Sequence, residues 1–399
     1  MDNLESQNKI KLAFLLLGGN IIGGADIRYA RLYNYTKEQK EFKVRFITNP
    51  GKYEHLKNLK ILDKNIDPGI LIVGNENSTL NEKIQLKSNY KKYIPYFIIS
   101  MKRWILLWIS FYRNLKNTSL LIKKYNINVL YCLYLGAFLS PFLKKKLDIK
   151  IICAQMDSTF QYLSKNIFKA CNSYYYAFKK SDIVDCLGDS YRDGLKKYKI
   201  DVNNTSKYKV APCSFTDESK CHAKEKKKII TFASRLTKSK NPLLFLDVCK
   251  LIYSTKKDVQ FRLLGSGELE NDIINFIKRN ELSGVVDFKY SYDIYDSLSD
   301  SILFLSLQEN ENYPSQSLLE ACLCENMIVA TNTGDTFKLV KEPFGKLVSF
   351  QPDEISKVCI NIINDFERGI FFGSEAKKFV LNNHSIKKYY NHFSNLIQT

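Results

Sequence analysis

Ser306-Leu307-Gln308-Glu309-Asn310-Glu311-Asn312-Tyr313-Pro314-Ser315-Gln316-Ser317-Leu318-Leu319-Glu320-Ala321 reads as the end of a strand, a polar loop and the start of a helix. Pro314 stops the preceding segment, Ser315 is of the type that caps a helix, and Leu318, Leu319 and Leu323 give that helix an apolar face. Such a start offers open N–H groups and the positive end of the helix dipole to an anion, with Glu311 and Asn312 just before it. Glu320 lies over one turn further in. It is either a solvated acid or, beside a cleft at a sheet edge, an acceptor for both hydroxyls of a ribose.

Outward from this stretch, short apolar runs alternate with helical patterns. Ile229 to Ala233, Val259 to Leu264, Val285 to Phe288, Ile302 to Ser306 and Met327 to Ala330 form one series of strands. Helices are expected between them near Leu243 to Ser254, Leu269 to Arg279 and Gln316 to Cys324, then near Asp353 to Arg368 and Ser385 to Ile397. An earlier series comprises Leu12 to Leu17, Lys43 to Thr48, Val129 to Leu133, Lys150 to Ala154 and Ile183 to Leu187. Each series predicts an α/β layer with a parallel sheet and ligands at the carboxyl ends of its strands. At 399 residues the chain is long for a single core. The polar stretch from Val202 to Lys228 is the expected linker, giving domains at 1–205 and 206–375 and a final helix at 376–399 that packs back toward the first.

Three further motifs carry cationic or close-approach chemistry. Gly18-Gly19-Asn20-Ile21-Ile22-Gly23-Gly24 follows the first strand, where small residues let backbone N–H groups approach a phosphate. Gly24-Ala25 stands where a P-loop needs Lys-Ser/Thr, and Gly-x-Gly-x-x-Gly is absent, so ATPase and dinucleotide readings fail; a turn without ligand reads equally well. Arg235 and Lys240, five apart on one loop, form either a solvated basic loop or a pair able to close on a diphosphate. Gly265-Ser266-Gly267 marks another close backbone approach or a plain turn.

Other chemistries are poorly supported. His55, His222, His384 and His392 stand beside no Ser or Cys nucleophile and in no metal spacing, and no Asp-x-Asp occurs. The ten cysteines include no Cys-x-x-Cys pair and read as reduced thiols in a cytoplasmic protein, with Cys322 and Cys324 as packing residues. Lys and Arg outnumber Asp and Glu by 34 to 17 in residues 1–205, against 26 to 24 in 206–399. That asymmetry suits an anionic membrane surface, a lipid phosphate or an acidic polymer, or simply solvated lysines. The apolar stretch Tyr93 to Tyr112 is interrupted by Lys102 and Arg103 and is too short to span a bilayer. It reads either as a helix lying on a membrane, with Trp104 and Trp108 at headgroup depth, or as one buried against its own sheet.

Taken in order, Ser-Arg-Leu…Lys-Asn, Leu-Leu-Gly-Ser-Gly, Asn-Tyr-Pro-Ser-Gln-Ser-Leu-Leu-Glu-Ala and Val-Ala-Thr-Asn-Thr-Gly-Asp-Thr resemble the retaining glycosyltransferases of family 4. The resemblance is best over Ile229 to Val340 and implies the GT-B fold, two Rossmann-like domains with parallel sheets facing across a cleft. It implies a nucleoside diphosphate sugar as co-substrate, no cofactor or metal, a glycan or lipid-linked acceptor, and no nucleic-acid partner. By position it implies that Arg235 and Lys240 neutralise the donor diphosphate and that Glu320 binds the ribose. Gly265, Gly267 and the loop Tyr313, Pro314, Ser315, Gln316 and Ser317 would border the donor, and Gly23 and Gly24 would close over its phosphates or border the acceptor. The family commonly has a Glu eight residues before Glu320, and here Asn312 stands there, with Glu311 as the alternative acid on a longer loop. On the acceptor side, Asp157 replaces a common His, and Arg28 is the other candidate.

Overall fold

The computed structural model describes residues 9–18, 23–74, 96–156, 163–166, 171, 173–222, 224–291 and 293–399; within the helix Tyr96–Lys124 side chains are described from Trp104 onward. Two compact units emerge. The first holds residues up to Cys186, Arg192–Val210 and Phe393–Thr399, and the second Leu187–Tyr191 and Ala211–His392.

The first unit contains β1 (Lys11–Leu17), β2 (Lys43–Thr48), β3 (Ile70–Ile72), β4 (Val129–Tyr134), β5 (Lys150–Gln155), β6 (Ile183–Cys186) and β7 (Tyr208–Val210). They form one parallel sheet in the order β3-β2-β1-β4-β5-β6-β7. The second contains β8 (Lys227–Ala233), β9 (Gln260–Leu264), β10 (Val286–Lys289), β11 (Ser301–Ser306), β12 (Met327–Thr331) and β13 (Gly345–Val348), all parallel, in the order β10-β9-β8-β11-β12-β13. Strands buried on both faces by crossover helices need continuous apolar runs, and β1 and β11 are buried along almost their whole length.

Three strands were not expected from the sequence. β3, β7 and β13 are three or four residues long and lie at sheet edges, too short to show a period. β7 falls inside the expected linker, so the first unit runs to Val210 rather than to 205.

The helix Tyr96–Lys124 is buried against the first core on one side and exposed on the other. Phe111, Leu115 and Ile122 are buried in the first core with Trp104 and Trp108 packed against it, while Ile105, Ile109, Tyr112 and Leu120 are exposed. Among the described residues, no helix is long and apolar enough to cross a membrane. Cys322 and Cys324 are both buried in an apolar cluster of the second unit.

The chain ends on the first sheet. In the helix Ile386–Gln398, the Phe393 ring lies 5.2 Å from Phe14 and 5.1 Å from Tyr131, and Lys150 Nζ donates to the carbonyls of Leu396 (2.7 Å) and Ile397 (3.1 Å). Phe393 is fully buried. Phe393→Ala should therefore destabilise the first unit by about 3–5 kcal/mol, the usual cost of an aromatic cavity, read as a lowered urea midpoint.

Candidate functional site

Each sheet changes winding direction beside its first strand, between β1 and β4 and between β8 and β11. Crossovers there leave toward opposite faces, so the loops from the carboxyl ends part and open a crevice. In the second unit those loops are 234–241 and 307–315, carrying Arg235, Lys240, Gln308, Glu311 and Asn312.

The first loop is set by close backbone contact. Ser234 N–H donates to Leu264 O (3.1 Å), and Leu236 N–H to Ser266 O (2.9 Å). A Cβ on Gly265, whose φ is +150°, would fall 1.9 Å from the Ser234 carbonyl oxygen, and one on Gly267 2.6 Å from that of Leu236. The two glycines thus let one loop lie on the other and so place Arg235. At the other end of the loop, Asn241 takes the left-handed conformation (φ 54°) and its Nδ2 donates to Leu307 O (2.9 Å), while Glu309 N–H donates to Ser239 O (3.0 Å). The two loops are fastened together at that point.

A line of side chains crosses this junction. Lys240 Nζ donates to Gln308 Oε1, Gln308 Nε2 donates to Asn312 Oδ1, and Ser306 Oγ donates to the same Asn312 oxygen at 3.1 Å. Gln308 and Asn312 are buried, and Lys240 is partly so. Among the described residues neither Lys240 nor Arg235 has a carboxylate partner. Burial pushes the Lys240 pKa down to about 8, and the nearby Arg235 guanidinium pushes it the same way. Two cations repel each other here with no acid among the described residues to relieve them, an arrangement that suits an anion.

Glu311 does different work. Its carboxylate accepts from the N–H groups of Tyr313 (2.8 Å) and Asp335 (3.0 and 3.1 Å), pinning the loop after β12 to the loop after β11. Ser315 stands at the N-cap of the helix Gln316–Leu323, but its hydroxyl pairs with that of Ser317 (3.1 Å) and makes no side-chain cap. The helix start therefore has no side-chain cap on its N–H groups, and it closes the loop that Asn241 and Glu309 fasten to that of Lys240. Glu320, 9 % exposed, accepts from Gln316 Nε2 (3.3 Å), which also donates to Thr216 Oγ1 (2.7 Å).

Tyr313 and Pro314 are buried, and the Tyr313 ring lies 6.2 Å from that of His384. Burial drives the His384 pKa down to about 4, so this imidazole is neutral and structural, its Nδ1 3.2 Å from Ser214 O. In the first unit, Gly23 N–H donates to Asp26 Oδ2 (2.7 Å) at the start of the helix Gly24–Gln39, where Gly24 is the first residue and Arg28 is buried. Asp26 also pairs with the buried Lys52 (2.7 Å), a lysine the sequence did not single out, so this glycine turn carries a neutralised ion pair. Asp157 lies outside the described residues. Gln308 was not anticipated either: a glutamine at a strand end carries no local signal, and its partner Lys240 is 68 positions away.

The depressed Lys240 pKa sets a sign. Between about 8 and the ordinary lysine value of about 10.4 the unfolded chain binds more protons at this site than the folded one, so stability rises with pH. Urea midpoints from pH 7.5 to 10 should accordingly shift in favour of wild type relative to Lys240→Met; a gap that stays constant would remove the buried, unpaired ammonium.

Residues 214–379 match the glycosyl transferases group 1 family. An uncharacterized glycosyltransferase of Methanocaldococcus jannaschii is 23% identical over 240 residues, 59% of this chain and 65% of that protein, so the match spans less than two thirds of its length. Anabaena HepE, solved in complex with UDP-glucose, superposes with a TM-score of 0.73 at 14% identity, covering 98% of this chain and 99% of that one. S. aureus TarM, in a complex that includes UDP, does so with a TM-score of 0.70 at 14% identity, covering 98% and 100%. The likeness extends over both sheets and shows the GT-B fold. The loop of Arg235 and Lys240, the Gly-x-Gly turn and the helix start after Pro314 all fall inside the range that matches the glycosyl transferases group 1 family.

Proposed function

We propose that the chain transfers a sugar from a nucleoside diphosphate sugar to a glycan or lipid-linked acceptor, with retention of anomeric configuration and without a metal, in the assembly of a bacterial surface polysaccharide or lipopolysaccharide. One observation carries the reading: Arg235 and Lys240 stand together at the switch point of the second sheet without a carboxylate partner among the described residues, on a loop fastened to the one that ends in an uncapped helix start. A diphosphate supplies the missing charge. UDP is the first nucleotide to test, because HepE and TarM were solved with it.

Breaking the anomeric bond places growing negative charge on the departing diphosphate. Arg235, Lys240 and the N–H groups at the start of Gln316–Leu323 then hold the leaving group more tightly than the ground state, and this difference lowers the barrier. Glu320, nearly buried one turn into the same helix, receives the ribose hydroxyls. In a retaining transfer the acceptor oxygen attacks from the face the leaving group vacates, and the diphosphate takes its proton, so no side chain is assigned as general base. A pseudoenzyme that binds the nucleotide sugar without turnover is the second reading, favoured by Asn312 in place of the common acid.

The membrane-facing side of the proposal rests on charge and shape. No Asp or Glu occurs in residues 83–147, which contain thirteen Lys and Arg. The helix Tyr96–Lys124 exposes Ile105, Ile109 and Tyr112 beside Arg113 and Lys116. Apolar residues ringed by cations suit an anionic bilayer surface, where a lipid-linked acceptor resides.

UDP should raise the melting temperature, and a panel of UDP-sugars should reveal the donor by hydrolysis. Arg235→Ala is expected to lower turnover by about 2–4 kcal/mol of barrier while weakening UDP binding less, and a rate within twofold of wild type would remove Arg235 from the site. EDTA should leave that rate unchanged; strong Mg²⁺ dependence of the chemical step would count against the metal-free mechanism. In flotation assays the protein should bind phosphatidylglycerol vesicles over phosphatidylcholine, and the Ile105→Ser/Ile109→Ser variant should lose that binding; retention by the variant argues against this face.

A further inference from the structure

We infer that Gln308 is a positioning residue that fixes the amide of Asn312, leaving Asn312 Nδ2 to donate a hydrogen bond to an oxygen on the sugar of the bound nucleotide sugar. The inference rests on the donor reading above and deepens it.

The direction of the relay follows from what each group can do. A lysine ammonium only donates, so the Gln308 atom facing Lys240 is the carbonyl Oε1. The other end of the Gln308 amide is then its NH₂, and the Asn312 atom facing it is Oδ1. Ser306 Oγ donates to that same oxygen at 3.1 Å. Turning Asn312 over would set NH₂ against NH₂, and turning both amides over would set the Gln308 NH₂ against the ammonium. The charge on Lys240 thus dictates the sense of two amides in succession. The backbone under them is held as well, since Thr331 Oγ1 donates to Gln308 O at 2.8 Å.

One consequence is left over. Asn312 is 2 % exposed, and its Nδ2 has no hydrogen-bond partner among the described residues. A buried amide NH₂ without an acceptor is uncommon and calls for one from outside the chain. The group lies one amide beyond Lys240, in the loop that leads into the open helix start, within reach of the part of a ligand that adjoins a diphosphate seated on the cations. A carboxylate in this place would take a hydrogen bond from a sugar hydroxyl. An asparagine oriented by Gln308 gives one instead, to a hydroxyl, acyl or carboxylate oxygen. Glu311 does not restore an acid here, because its oxygens already accept from the N–H groups of Tyr313 and Asp335.

The test compares two volume-preserving or uncharged variants, Gln308→Met and Asn312→Ser, with wild type by titration calorimetry. The probes are UDP, UDP-glucose, UDP-N-acetylglucosamine and UDP-glucuronic acid. The readout is the ratio of the dissociation constant of UDP to that of the UDP-sugar bound most tightly by wild type. UDP affinity should stay within about threefold in both variants, while the ratio falls about tenfold in each and no further in the double variant, because the two residues act as one unit. A ratio unchanged in Gln308→Met, or losses that add in the double variant, would overturn the relay. Should one variant fail to melt cooperatively, the other carries the measurement. Wild-type protein that binds neither UDP nor any of the UDP-sugars would overturn the donor reading itself, and with it this inference, a result distinct from normal UDP binding with unaltered ratios.

Discussion

A lysine ammonium set beside an arginine, with no carboxylate to balance either, works against folding, and a structure keeps it only where something else gains from it. Among the described residues, Lys240 and Arg235 are in that situation at the carboxyl edge of the second sheet. Their surroundings are arranged to sustain it. Gly265 and Gly267 admit the backbone of Ser234–Leu236, Asn241 bridges to Leu307, and Glu311 pins the two loops that follow β11 and β12. Each of these contacts is made without placing a negative charge on the two cations.

The first unit makes an instructive contrast. Its glycine turn also sits at a switch point, and it too holds a buried lysine, but Lys52 is paired with Asp26 at 2.7 Å. Two sheets with the same winding therefore present different electrostatics at equivalent edges, one neutralised and one open. The range that matches the glycosyl transferases group 1 family, residues 214–379, contains the open edge.

Asn312 and Glu311 show why a motif alone leaves chemistry undecided. As neighbours in sequence either can stand for the acid eight or nine positions before Glu320. In space they diverge: Glu311 turns to backbone N–H groups of two loops, and Asn312 turns inward to Gln308 and Ser306. Which of the two faces a ligand is a question of side-chain partners, and those partners are fixed by pairs far apart in the chain.

The strand series, the parallel winding and the segments of Arg235, Lys240, Pro314 and Glu320 were legible in the sequence because they depend on local patterns. Apolar runs, turn glycines and a proline before a helix all act over a few residues. The short edge strands β3, β7 and β13 escaped, since three or four residues carry no period. Only the tertiary structure decided that the glycines of 265–267 serve the loop of Arg235, that Tyr313 and Pro314 are buried, and that Gln308 joins Lys240 to Asn312. Those facts depend on which loops a crossover brings side by side, and hydrogen-bond direction between residues 68 positions apart leaves no trace in the order of the letters.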